Sequence, residues 1–283
     1  MSRHLRSTEI ARLLGVSVAT VKRWTDSGLL PADRTAGGHR RFSPAVVERV
    51  ASQLAGKDAQ VEQWLHLLVG PEGRLAVDAA LLAERSRANG WEAVAAFLGR
   101  VLVVLGDRWQ AGRLGVGDEH VASARLARAL ARVCDPLPVR PGAPRVVLAT
   151  VEGEAHSLGL ALVELCMRER GWETLWVGPD TPTDALARHL EATSVEVLAL
   201  SASVERDAAG LRLVSTRLGE LCARRGVALI AGGRGPWPDP LPFGELIREF
   251  AELGVWIDSF GRHRPRSRGP MARRRGPGDG HAE

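Results

Sequence analysis

The chain has 283 residues, 45% of them hydrophobic, enough for two or three small domains each with its own core. It has no apolar run long enough for a transmembrane helix and no secretory h-region at its start, and its three scattered cysteines (Cys134, Cys166, Cys222) fit a reducing cytoplasm and exclude a cysteine-rich metal site. The net charge of +5 is unevenly placed: residues 1–50 hold nine Lys/Arg against four acids, residues 262–283 seven Arg against two, and the body between them is acidic, so a nucleic-acid contact is expected at the head.

In chain order, Ser7 is placed to cap a short helix to about Leu14, with Ile10, Leu13 and Leu14 inward, and Gly15 to end it. Ser17 caps a second helix, Val18 to Asp26, ended by Gly28. Two short helices joined by Gly-Val-Ser read as a helix-turn-helix. The second carries Thr20, Lys22 and Arg23, while Val21 and Trp24 have core spacing. Gly37-Gly38 then makes a hairpin tip, and His39, Arg40 and Arg41 follow it as a basic wing. Ser43-Pro44 opens a third helix, as an N-cap with Pro at its first position.

Residues 58–135 lack strand-like alternation and read as a four-helix bundle: Gln60 to Val69, Leu75 to Ala88, Trp91 to Leu105 and Val116 to Val133. Leu81, Leu82, Val94, Phe97, Leu98, Val101, Leu102 and Leu105 have core spacing. Inside this block stand Trp109-Gln110 and, with nine residues intervening after Trp109, Glu119-His120. A bundle Trp is ordinarily core and a Glu-His pair at a helix start ordinarily caps.

Beyond the bundle, Val146-Val-Leu-Ala-Thr150 reads as a buried strand, followed by a turn with Glu154, His156 and Gly159 and then by a helix from about Ser157. Its inward positions are Leu158, Leu160, Leu162, Val163 and Leu165. After Gly159 come 41 residues and then Ser201-Ala-Ser203, at the end of the apolar run from Val195 to Leu200. After Ser203 come 28 residues and then Gly232-Gly233, at the end of Val227 to Ala231. An imidazole with a carboxylate, two hydroxyls and a glycine pair thus fall at the carboxyl ends of parallel strands one, three and four, where open α/β sheets bind ligands. Gly261 to Glu283, rich in Arg, Gly and Pro, cannot bury a core and is expected to be disordered.

Three resemblances follow from these residues. The spaced Glu154-x-His156-x-x-Gly159, Ser201-x-Ser203 and Gly232-Gly233 resemble the cobalamin-binding domain of methionine synthase and its relatives, whose pattern is Asp-x-His-x-x-Gly, Ser-x-Leu and Gly-Gly. Glu154 stands for Asp and Ser203 for Leu. The resemblance implies that His156 coordinates cobalt from below, that Glu154 fixes its tautomer, and that Ser201, Ser203, Gly232 and Gly233 line the slot for the displaced nucleotide tail. The head resembles the MerR family of winged helix-turn-helix regulators, most of all in Gly37-Gly-His-Arg-Arg-Phe42. That likeness implies major-groove contacts from the helix carrying Thr20, Lys22 and Arg23, and phosphate contacts from His39, Arg40 and Arg41. Trp109, Glu119 and His120 ahead of a cobalamin domain resemble the cap of the light-responsive, adenosylcobalamin-binding MerR-type repressors, the CarH-like proteins. In those the bundle encloses the adenosyl group. Gly178-Pro-Asp180-Thr-Pro182 is another shared turn. A His that binds cobalt after light in that family is replaced here by Gln110.

The expected fold is therefore multi-domain: an α-helical winged helix-turn-helix head (1–56), a four-helix bundle as cobalamin cap (57–138), a flavodoxin-like α/β doubly wound parallel sheet (143–260) and a basic tail (261–283). The expected function is a cytoplasmic transcriptional repressor controlled by bound cobalamin, in its adenosyl form, with or without light. Its partners are a double-stranded DNA operator and further copies of itself, as dimer or tetramer. Two other readings stand beside it. One is a regulator whose cobalamin domain has lost the cofactor and serves assembly or binds another ligand. The other is a cobalamin-dependent methyltransferase or mutase, which would need a substrate-holding barrel that no repeated βα array here supplies.

Overall fold

The computed structural model describes residues 4–14, 16–26, 28–35, 37–71, 74–203 and 206–260. The expected cap breaker Gly15 and the basic tail lie outside them. The chain divides into two compact units, residues 1–86 with 97–129 and residues 87–96 with 130–283.

The first unit opens with helix α1 (Ser7–Leu13) and helix α2 (Val18–Asp26). Ser7 was expected as the cap of α1, but it is the first helical residue. Arg6 precedes it, and the Glu9 carboxylate reaches back to the Arg6 N–H at 2.7 Å. Ser17 does cap α2, its Oγ accepting the Thr20 N–H at 3.1 Å. Ile10, Val21, Leu30 and Phe42 are fully buried together, with Trp24 half-buried against them. Leu13 is exposed, because on α1 it lies about 60° beyond Ile10, just off the arc made by Ile10, Ala11 and Leu14. Strands β1 (Asp33–Arg34) and β2 (Arg40–Arg41) form the hairpin, with Gly38 at φ +77° in its turn. Leu5 and Phe42 exchange backbone hydrogen bonds of 2.9 and 3.0 Å, which ties the start of the chain to the base of the wing.

Helix α3 (Pro44–Val69) begins where Ser43-Pro44 predicts, then runs unbroken to Val69, so the 56/57 boundary falls inside a helix. Gly56 weakens a helix interior by only about 1 kcal/mol, which the packing further along offsets. Helices α4 (Arg74–Arg87), α5 (Trp91–Gln110) and α6 (Val116–Cys134) follow, α5 one turn longer than expected. Within the first unit Leu68, Leu81, Leu98, Val101 and Leu126 are buried, and Trp64 meets Phe97 edge-on at 6.1 Å. Leu82, expected in the core, is exposed: it lies about 100° around the helix from Leu81, off the buried arc of Val77, Leu81 and Glu84. The buried Glu84 carboxylate accepts from Trp64 Nε1 at 3.0 Å and Gln60 Nε2 at 2.9 Å. Arg125 Nη1 donates to the carbonyls of Leu68 and Gly70 and so closes the end of α3.

The second unit is built on strands β3 (Arg145–Thr150), β4 (Glu173–Gly178), β5 (Val197–Ser201), β6 (Ala228–Gly232) and β7 (Glu245–Leu246), parallel and in the order β4-β3-β5-β6-β7. This is the flavodoxin-like order. Helices α7 (Leu158–Glu169), α8 (Thr183–Ala192), α9 (Ala208–Arg225) and α10 (Phe250–Phe260) complete it. Val147, Ala149, Leu198, Leu200 and Leu229 pack toward α8 and α9, while Val146 and Leu148 are also fully buried, so β3 reads as a continuous apolar run. Register decides the site: Thr150 pairs with Ser201, and Ser201 with Gly232, so three strand ends finish in one row. All three cysteines are buried and free, and burial pushes the Cys134 and Cys166 thiols up to about 12.

Candidate functional site

At the end of β3 the chain turns through residues 151–157 before α7. Thr150, fully buried, donates its hydroxyl to the Glu154 carbonyl and accepts the Asp180 N–H at 2.8 Å. Asp180 in turn takes the Gly153 N–H at 2.6 Å. The turn after β4 thus pins the turn after β3, which is what the Gly178-Pro-Asp180 segment contributes. Asp180 itself sits at φ +51°, a conformation that Asp tolerates better than most residues.

Glu154 is the hub. Its side chain is 1% exposed. Oε1 accepts the His156 N–H at 2.8 Å and meets His156 Nδ1 at 2.7 Å, and Oε2 accepts the Ser203 N–H at 2.7 Å. Burial would raise this carboxyl's pKa. The Ser203 hydroxyl beside it, the N–H groups of His156 and Ser203 and the imidazole together outweigh burial and hold it below the ordinary range. With the Nδ1 proton held on Glu154, the Nε2 lone pair of His156 is left outward on a side chain that is 57% exposed. A depressed carboxyl pKa contributes stability that is complete above the unfolded value and drains away as pH falls through the folded one. Glu154→Gln is therefore expected to flatten the acid limb of stability. Urea titrations at neutral and at strongly acid pH should show the mutant's deficit shrinking as the pH falls.

The other expected residues surround this pair. Ser201 ends β5, and Ser203 Oγ is buried beside the Glu154 carboxylate. A Cβ on Gly159, in the first turn of α7, would meet nothing within 4 Å, so that turn is open to a bulky ligand. Gly232 ends β6 and Gly233 follows it. A Cβ on either would strike the protein itself: the Ile247 carbonyl at 2.8 Å from Gly232 and the Ala202 carbonyl at 2.4 Å from Gly233, which also has φ +83°. Gly233→Ala is expected to cost about 1–3 kcal/mol in urea denaturation. Two residues were not foreseen. Trp237, buried, donates Nε1–H to the Gly232 carbonyl at 2.8 Å, and Arg248 Nη1 donates to the Gly233 carbonyl at 3.1 Å. They brace the glycine loop from sequence positions with no motif around them.

In the first unit Trp109 is half-buried in the last turn of α5, and Gln110, its last residue, is exposed. Glu119 and His120 stand in the first turns of α6, joined by His120 Nδ1 and Glu119 Oε2 at 2.7 Å, with Ser123 donating to the other carboxylate oxygen. The two helix ends are consecutive across residues 111–115.

On the head, Lys22 and Arg23 are exposed on α2, and Thr20 is half-buried with its hydroxyl 3.0 Å from Ser17 Oγ. His39 is exposed on the wing. Arg40 is half-buried, and its Nη2 meets Asp26 Oδ1 at 2.6 Å, which ties the wing to the end of α2. Arg41 is half-buried and donates to the Arg40 carbonyl at 3.2 Å. Arg34, paired with Arg40 across the hairpin and exposed, adds a cation that sequence reasoning passed over.

Comparison with known proteins agrees with both halves. Residues 6–42 match the MerR family regulatory protein family, and residues 144–243 match the B12 binding domain. The HTH-type transcriptional repressor CarA of Myxococcus xanthus is 30% identical over 222 residues, 70% of this chain and 76% of its own. The HTH-type transcriptional repressor CarH of the same organism is 26% identical over 263 residues, 79% of this chain and 86% of its own. Among solved structures, the Methanosarcina barkeri monomethylamine corrinoid protein covers 70% of this chain with 96% of its own, at a TM-score of 0.55 and 16% identity, a likeness of fold. Fold and site together define a winged helix-turn-helix regulator with a B12-binding domain. The chain belongs to the family of MerR-type, B12-binding transcriptional regulators that includes CarA and CarH. No helix among the described residues is long and apolar enough to cross a membrane.

Proposed function

We propose that this cobalamin-dependent, DNA-binding regulator is a repressor whose DNA affinity is set by adenosylcobalamin. The observation that carries the cofactor reading is the Glu154–His156 pair: one carboxylate fixes the imidazole by Nδ1 and leaves Nε2 outward at a strand end in register with Ser201 and Gly232. A corrin-bound cobalt would take a ligand from the protein, and His156 Nε2 would be the atom that holds it. The open face at Gly159 fits a large guest. By the family likeness, Trp109, Glu119 and His120 would hold the cofactor's adenosyl group. Bound cobalamin supplies a light-sensitive cobalt–carbon bond; what the chain supplies is the ligand and the consequence for assembly. Copies of the chain joined on one operator bind with high effective concentration, so a change in assembly changes DNA affinity. Sedimentation of the protein with and without adenosylcobalamin in the dark tests this, and an unchanged assembly state would remove the proposed link.

Gln110 separates this chain from its light-responsive likeness. An amide is a poor cobalt ligand beside an imidazole. Illumination of the adenosylcobalamin-loaded protein is expected to give an aquo-type spectrum, and Gln110→His a bis-imidazole one. A bis-imidazole spectrum in the unaltered protein would assign the second ligand to another histidine, His120 first.

A further inference from the structure

Arg206 stands at the rim of the same site and has no assigned part in it. It lies just before Asp207, the N-cap of α9, and its backbone N–H bonds the Ser203 carbonyl at 3.4 Å. The Nη1 end of its guanidinium reaches Gly153, in the turn that carries Glu154 and His156. A Cβ on Gly153, a residue at φ +77°, would stand 2.5 Å from Nη1, so the guanidinium lies close against this glycine. Arg206 Nε is buried with no hydrogen-bond partner, and no carboxylate among the described residues forms an ion pair with the guanidinium.

The nearby acids are already engaged with backbone. Glu152 accepts the Thr183 N–H at 3.2 Å, Asp180 the Gly153 N–H, Glu154 the N–H groups of His156 and Ser203, and Asp207 the Gly210 N–H at 2.8 Å. A half-buried guanidinium without its own acceptor retains a desolvation cost that an anionic guest would relieve, and its planar fork suits a phosphate oxygen pair. A cobalamin carries one such group, the phosphodiester of its nucleotide tail. Resting on the cofactor reading above, we infer that Arg206 binds that phosphodiester and so selects complete cobalamins over corrinoids that lack the tail.

The test titrates the full chain with hydroxocobalamin and with aquocobinamide, which has the corrin ring and cobalt but no phosphodiester. For Arg206→Ala, cobalamin affinity should fall about tenfold to a hundredfold while cobinamide affinity is unchanged. Arg206→Lys, which keeps the charge without the fork, should recover part of the loss. Equal weakening toward both corrinoids would make Arg206 a support for the turn and overturn the proposal, as would no weakening toward either. If the unaltered chain bound neither corrinoid, the cofactor reading itself would fail, an outcome distinct from both.

Discussion

His156→Ala is expected to weaken cobalamin retention by more than the roughly tenfold to hundredfold that loss of an outer hydrogen-bond partner costs a metal site. Its visible spectrum should move to that of the free cofactor. The alanine removes the outward Nε2, whereas Glu154→Ala removes only the group that holds Nδ1 at 2.7 Å and should give the smaller loss. The order of the two effects is informative. If Glu154 mattered more than His156, the carboxylate's link to the Ser203 N–H would be the essential contact and the imidazole a bystander. An unchanged spectrum for His156→Ala would remove it as the cobalt ligand.

The second large effect is on DNA. Lys22 and Arg23 are exposed on α2, and Arg41 lies on the wing strand. Arg23→Ala is expected to cost about 1–3 kcal/mol and to relax specificity where it reads a base. Lys22→Ala and Arg41→Ala should each lower the slope of log affinity against log salt by about one unit across all sequences. Arg40→Ala should act differently from its neighbour. Its guanidinium is engaged by Asp26, so it should weaken binding through the set of the wing and change the salt slope less. Gel shifts over a range of salt concentrations separate the two, and a full unit lost with Arg40→Ala would mean that DNA draws it away from Asp26.

What the sequence made legible is what depends on local pattern. The strands ending at Thr150, Ser201 and Gly232 are apolar runs bounded by turn residues, and parallel pairing in a doubly wound sheet brings their ends into one row. The Ser17 cap and the Gly38 turn are likewise local chemistry. What escaped is what tertiary structure decides. The pairing of Arg40 with Asp26 joins residues fourteen apart, and any of several acids would have served on paper. The continuity of α3 through Gly56 was hidden because a glycine reads as a break while its cost is small against packing. Leu13 and Leu82 are apolar and adjacent to core positions, yet a single step around a helix puts them outside. The two-residue strand β7 is too short to show any periodicity. The Ala202 and Ile247 carbonyls pressed against the glycine pair are likewise visible only in the structure.

The most direct test of the account is the affinity of the full chain for a DNA duplex selected by that chain from a random pool, measured in the dark with and without adenosylcobalamin. The account predicts that the cofactor changes the affinity and that His156→Ala abolishes the change while leaving cofactor-free binding intact. Equal affinity with and without the cofactor, in a protein whose spectrum shows cobalamin bound, would contradict it.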